Sequence, residues 1–253
     1  MLNPVIVITP TPEKIKILSY NINHGEDTNQ SYGFNEIIKI IKKENPDFVC
    51  LNDVEQECVR TYRENQVQKI AESLGMEYTF GEVVEIDGGW NGNAILSKYP
   101  LIFSGNRLLK KQGQSGIQAY LQTTYRVGDL KLHIYTSELS KDESIAEKQI
   151  EEITEKILDN MSKLAINDPI ILTGTFNLLP NHNGIKEIEK YFLNSYDKIK
   201  GNKNTYPSNS PIHQYDYIFH RKNIRLESAS VINNSTTRNC SRHLPVVTIF
   251  KLR

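Results

Sequence analysis

Along the chain, short apolar runs of strand length alternate with segments whose apolar residues recur at helical spacing. Lys14 to Tyr20 places Ile15, Ile17 and Leu18 in a strand pattern, and Asp47 to Leu51 is a compact apolar run that reads as a buried strand. Between them Ile37, Ile38, Ile40 and Ile41 predict a helix over Asn35–Glu44, ended by Pro46. Val67, Ile70, Ala71 and Leu74 share one face of a helix over Gln66–Leu74, with Gly75 as its stop. The middle is strand-rich: Glu77–Val83, Asn93–Ser97, Gly116–Val127 and Leu130–Thr136, the last two joined by a Gly128-Asp129 hairpin turn. A long helix is expected over Asp142–Leu164, a buried strand over Pro169–Gly174 and a short helix near Gly184–Leu193. A polar loop, Asn202–Pro211, precedes strands at Tyr215–His220, Leu226–Ile232 and Pro245–Lys251. Clustered strands with few helices between them predict packed sheets flanked by helices.

Composition narrows the functional classes. The 253 residues suffice for one sizeable core, and we read residues 1–13 as an N-terminal extension and 14–253 as a single domain. Lys+Arg and Asp+Glu are both 30, so a nucleic-acid partner is disfavoured, a local basic groove aside. Cys50, Cys58 and Cys240 are too few and too scattered for a disulfide framework or a zinc site, and read as buried thiols. No apolar run reaches the roughly 20 residues of a membrane span. Met1 to Pro12, broken by Pro4, Pro10 and Pro12, lacks the basic start of a signal peptide, which points to a cytoplasmic protein.

Candidate chemistry lies where strand-like runs end in polar residues, because strand ends at one edge of a sheet bring distant residues together. The segments are Ser19–His24 (SYNINH), Leu51–Glu55 (LNDVE), Asn91–Ser97 (NGNAILS), Tyr135–Ser140 (YTSELS), Leu172–Pro180 (LTGTFNLLP), Tyr215–Phe219 (YDYIF) and Cys240–Val246 (CSRHLPV).

Taken in order, these segments resemble the motifs of the endonuclease/exonuclease/phosphatase superfamily, with its DNase I-like nucleases, inositol polyphosphate phosphatases and sphingomyelinases. The likeness runs from about Lys14 to the C-terminus. It implies a four-layered α/β sandwich, two packed mixed β-sheets flanked by helices. It also implies hydrolysis of phosphate esters with a divalent cation, usually Mg²⁺.

Transferred position by position, the family pattern is kept at Asn21, Asn93, Asn177, Asp216 and His243. The glutamine-glutamate pair that supplies the metal carboxylate is replaced by Asn52 and Asp53; Asp53 keeps the charge with a side chain one methylene shorter, and is the metal candidate. Glu138 stands for a phosphate-contacting histidine, a reversal of charge. Thr175 stands for the aspartate that orients or deprotonates water, and Arg242 for an aspartate that supports the histidine or the metal.

Two functional expectations follow. One is a non-catalytic or strongly impaired relative that keeps a metal-free phosphate pocket built from Asn93, Asn177, Arg242 and His243. The other is a metal-dependent phosphoesterase with a rewired centre, using Mg²⁺, in which Glu138, Glu55 or Asp216 supplies the missing acid or base; a purely structural role has no positive feature. The ligand expected is a phosphorylated small molecule or phosphoester. Because the changes at Glu138 and Arg242 are opposite in sign, Arg242 is expected to form a salt-bridged cluster with Asp53 and Glu138 in place of the cation. His24, His133, His182, His213 and His220 read as surface or structural residues, Glu26-Asp27 and Glu147–Glu151 as solvated faces. Trp90 is placed either on the pocket rim or in core or loop packing.

Overall fold

The computed structural model describes residues 10–111 and 116–252. In chain order the elements are β1 (Lys14–Asn21), α1 (Phe34–Glu44), β2 (Phe48–Gln56), α2 (Gln66–Leu74), β3 (Glu77–Ile86), β4 (Gly89–Ser97), β5 (Leu101–Leu108), β6 (Ala119–Val127) and β7 (Leu130–Glu138). They continue with α3 (Glu143–Met161), β8 (Ile170–Thr175), α4 (Asn183–Glu189), β9 (Leu193–Asn194), β10 (Asp216–His220), β11 (Arg225–Val231), α5 (Thr237–Cys240) and β12 (Val246–Lys251).

The strands form two six-stranded sheets, ordered β11-β12-β1-β2-β4-β3 and β5-β6-β7-β8-β10-β9. Both are mixed: β1 runs parallel to β2 and β7 parallel to β8, while the other pairs are antiparallel. Ile15, Ile17, Phe48, Ile95, Leu132, Ile134, Ile171, Ile218 and Phe250 fill the space between the sheets. Helices α1 and α2 cover the outer face of the first sheet through Ile37, Ile41, Val67 and Ile70. Helix α3, with Ala146, Ile150, Ile153 and Ile157, and α4, with Ile185 and Ile188, cover the second. The expected four-layered sandwich is therefore the fold.

Local chemistry accounts for the boundaries. Asn65 caps α2 by accepting from the Gln68 N–H, and Gly75, at φ 64°, ends it. Asp142 caps α3 by accepting from the Ser144 and Ile145 N–H groups. Strand β5 was not expected: Leu101, Ile102, Phe103 and Leu108 are exposed, so no alternation marks it, and it is held as an edge by its ladder to β6. Of the proposed N-terminal extension, residues 1–9 lie outside the described residues. Thr11 is buried and accepts from the Asp129 N–H in the β6–β7 turn, which anchors the chain just before β1. All three cysteines are free and buried. No helix among the described residues is long and apolar enough to cross a membrane.

Gly174 in β8 shows how tightly the sheet supports the site. Its φ is 139°, and a Cβ there would stand 1.9 Å from the Ser137 carbonyl oxygen on β7. Gly174→Ala should therefore force β7 and β8 apart and cost about 2–3 kcal/mol, read by urea unfolding. A loss below about 0.5 kcal/mol, the range of an ordinary surface change, would show that the ladder yields freely.

Candidate active-site cleft

Parallel pairing puts the ends of β1 and β2 together, with Asn21 opposite Asn52. It does the same for β7 and β8, with Glu138 opposite Thr175, and antiparallel β10 adds Asp216 opposite Thr175. All these positions lie at one edge of the sandwich. His243, just before β12, joins them.

The centre is a closed string of hydrogen bonds. Asn21 Nδ2 donates to Thr175 Oγ1 at 3.2 Å, and that hydroxyl donates to Asp216 Oδ1 at 2.7 Å. His243 Nδ1 lies 2.8 Å from Asp216 Oδ2. Asp216 and His243 are both buried, so the pair meets in little water. Burial opposes the charge on His243, but Asp216 beside it and the more distant Glu138 and Asp53 outweigh that, and its pKa is raised. The carboxylate that supports the histidine is thus Asp216, not a residue at position 242. Thr175 is no substitute base; it satisfies the second oxygen of Asp216.

The Asn52-Asp53 replacement has a structural expression. Between Leu51 and Val54, β2 carries one more residue than β4 opposite it, and Asp53 takes φ 53°. The bulge turns Asn52 inward, where Nδ2 donates to Asn93 Oδ1 at 2.7 Å and Thr136 Oγ1 at 3.2 Å. Asn93 in turn donates to the Ala119 carbonyl. Asp53 swings to the other side. Its Oδ1 accepts from Asn91 Nδ2 at 2.5 Å, and its Oδ2 lies 3.4 Å from His24 Nδ1. Burial alone would raise the Asp53 pKa, but His24, Asn91 and Arg60 together lower it. His24, read from sequence as surface or structural, therefore lies in the candidate cleft beside Asp53.

Arg242 corrects a second expectation. Its guanidinium lies 3.2 Å from Glu26, with its side chain 45% exposed, and it does not reach Asp53 or Glu138. Glu26, expected on a solvated face, also lies 3.6 Å from His24 Nε2. Glu55, one of the candidate acids, is fully buried; Arg60 ion-pairs with it and Thr61 donates to it at 3.1 Å, so it is unavailable for proton transfer.

Glu138 at the end of β7 forms no ion pair with a described residue. Burial, and secondarily the charge on Asp53, pushes its pKa up to about 8. Near neutral pH it therefore carries its proton for much of the time and presents a hydrogen-bond donor. The reversal of charge read from sequence is largely cancelled by the setting.

Beside His243 lies a cavity of 210 Å³ lined by Lys141, Glu143, Asn177, Tyr206, Tyr215 and His243. Asn177 is fixed at φ 52° with Nδ2 donating to the Leu139 carbonyl. The Tyr206 ring packs on His243 with centroids 4.9 Å apart, and Tyr215 stands between Tyr206 and His213. Of this aromatic wall, Tyr206 belongs to the polar loop Asn202–Pro211, where sequence marks no site residue, and Tyr215 opens the candidate segment Tyr215–Phe219. Trp90 is not part of this lining. His133, His182 and His220 are structural as expected: His133 meets Thr124 and Asp168, His182 caps α4, and His220 packs on Phe250.

The donor set does not suit a resident magnesium ion. Mg²⁺ demands near-octahedral oxygen ligands. Asp53 has Asn91 on one oxygen and an imidazole against the other, and both oxygens of Asp216 are engaged. Among the described residues no group of three or more His, Cys, Asp or Glu is arranged to hold a metal.

Comparison with known proteins agrees with the architecture. The Escherichia coli K12 protein YbhP, itself uncharacterized, is 23% identical over 249 residues, covering 91% of this chain and 94% of its own. An endonuclease/exonuclease/phosphatase family protein of Bacteroides thetaiotaomicron superposes with a TM-score of 0.78 at 15% identity, covering 96% of each chain. The human Nocturnin catalytic domain, solved with a bound sulfate anion, gives a TM-score of 0.75 at 20% identity, covering 94% of this chain and 93% of that one. The Endonuclease/Exonuclease/phosphatase family model matches residues 18–243, nearly the whole two-sheet body, and the chain belongs to that family.

Proposed function

We propose that this protein is a family member in which metal-dependent hydrolysis is lost or strongly impaired, while the cleft is kept as a metal-free pocket for a phosphate group. The observation that carries the reading is the cavity beside His243. Two nitrogen-bearing side chains of basic character, Lys141 and His243, line it with Asn177, Tyr206, Tyr215 and one carboxylate, Glu143. With Nδ1 of His243 committed to Asp216, its Nε2 remains for a ligand. Glu138 is not part of that lining, and with its pKa pushed up to about 8 it adds little repelling charge near neutral pH. The reading is also supported by a neighbour of the same fold, the Nocturnin domain, whose structure holds a sulfate. Arg242, expected in this pocket, is replaced in the role by Lys141.

The loss of hydrolysis rests on Thr175, Asp53 and Arg242. A hydroxyl, not a carboxylate, stands at position 175, and the Asp53 carboxylate is already paired.

Titration calorimetry with inorganic phosphate in the presence of EDTA tests the pocket. Saturable binding is expected, weakened roughly tenfold by Lys141→Ala or His243→Gln, the effect of one charge-assisted contact. Binding should also weaken as pH rises through about 8, because Glu138 then gains its negative charge; the raised pKa of His243 keeps its own charge beyond the ordinary value of 6.5. Absence of binding, or binding indifferent to both variants, would overturn the reading.

A rewired hydrolase is the second reading, and Glu138 is the feature that favours it. A carboxyl group with a pKa of about 8 lies in the range where a general acid works at neutral pH. Metal-independent turnover that Glu138→Gln abolishes would establish it.

A further inference from the structure

We propose that His24 is a built-in substitute for a bound cation at Asp53, holding the carboxylate side of the cleft together in place of a metal and closing that position to Mg²⁺. The proposal rests on the metal-free reading in one respect, that Asp53 carries no dication. It adds which residue does the cation's structural work.

The backbone around His24 is shaped for this contact. Asn23, His24 and Gly25 follow one another at φ 45°, 44° and 84°, and Asp53 opposite them is at φ 53°. Non-glycine residues in this region are strained, and strain persists where surrounding contacts over-determine it. Such contacts are present. Gln66 Nε2 donates to the His24 carbonyl at 2.7 Å, and the Gly33 N–H donates to the Gly25 carbonyl at 2.8 Å. The Asn23 N–H donates to Asn21 Oδ1 at 3.0 Å, and its side chain donates to the Glu26 carbonyl at 3.1 Å. Gly25 admits no side chain, because a Cβ would stand 2.7 Å from the Tyr32 ring. Two strained positions on separate segments are thus aimed at one another.

Carboxylate, imidazole, carboxylate and guanidinium then follow one another in contact. Each ring nitrogen of His24 faces a carboxylate: Nδ1 at 3.4 Å from Asp53 and Nε2 at 3.6 Å from Glu26. Arg242 closes the outer end against Glu26 at 3.2 Å. The imidazole ring thus fills the space between two carboxylates that the fold brings together. A hard cation at Asp53 must displace this ring, and the ring's nitrogens are poor replacements for the oxygens that Mg²⁺ prefers.

Thermal unfolding of the full chain, with Mg²⁺ and with EDTA, tests the assignment. Wild type is expected to unfold at the same temperature in both. His24→Ala is expected to unfold about 2–4 °C lower in EDTA, the shift of a modest lost contact in a chain of this size. Mg²⁺ should restore at least half of that loss, and adding Asp53→Asn should abolish the restoration. His24→Gln, which preserves more of the side-chain volume, is followed in parallel by Trp90 fluorescence; Trp90 adjoins Asn91, the other partner of Asp53. It keeps the test open if the alanine variant does not fold, and it too should respond to Mg²⁺ where wild type does not. An unresponsive wild type whose His24 variants also ignore Mg²⁺ would overturn the role of His24 alone. An Asp53-dependent Mg²⁺ response in wild type would overturn both this role and the metal-free reading.

Discussion

Asp216→Ala is expected to destabilise the protein by about 3–5 kcal/mol, the largest stability loss of any site change considered. Asp216 is buried and holds two partners, the Thr175 hydroxyl at 2.7 Å and His243 at 2.8 Å. Removing its carboxylate leaves the Thr175 hydroxyl and a histidine ring without their acceptor in a site from which water is largely excluded. That is costlier than the pair's own net contribution, since an unpaired buried group retains its full desolvation penalty. Asn21, which donates to Thr175, then loses a fixed partner as well.

The loss has a definite pH dependence. The folded pKa of His243 is raised above its ordinary value of 6.5. A raised histidine contributes stability that is fully present below its unfolded pKa and is lost as pH rises through the folded one. Wild type and Asp216→Ala should therefore differ most near pH 6 and less near pH 9 in urea unfolding. A constant gap across that range would mean that the pair is held as neutral histidine throughout.

The element pattern was legible because burial imposes periodicity. Isoleucines at helical spacing marked α1, and the run through Asp47–Leu51 marked β2. Strand β5 left no such trace, since its apolar residues are exposed at the sheet edge and only the ladder to β6 defines it. The site was legible as a set of positions, because parallel strands must end together; Asn21, Thr175, Asp216 and His243 share one hydrogen-bonded centre, and Asn93 belongs to a separate group around Asn52. What sequence could not supply was direction. A one-residue bulge decides that Asn52 turns inward and Asp53 outward. A left-handed turn decides that His24 meets Asp53. Arg242 and His243 are neighbours in sequence, yet the first faces Glu26 near solvent and the second is buried against Asp216. The charge of Glu138 depends on its setting for a related reason: a glutamate's formal charge can be counted from sequence, but burial near Asp53 raises its pKa.

The second large expected effect is on rate. Loss of the group that deprotonates water, or of a metal carboxylate, commonly costs roughly two to four orders of magnitude. Here Thr175 stands at the position that the family resemblance assigns to the water-orienting aspartate, and Asp53, the shortened metal candidate, is held by His24 and Asn91. Such losses within one catalytic unit do not add, because once the unit fails its remaining members have little left to contribute. The most direct measurement is hydrolysis of a panel of phosphomonoesters and phosphodiesters with Mg²⁺ or Mn²⁺, wild type beside Asp53→Ala. The account predicts background rates that are the same for both proteins. Metal-dependent turnover by wild type that Asp53→Ala abolishes would contradict it.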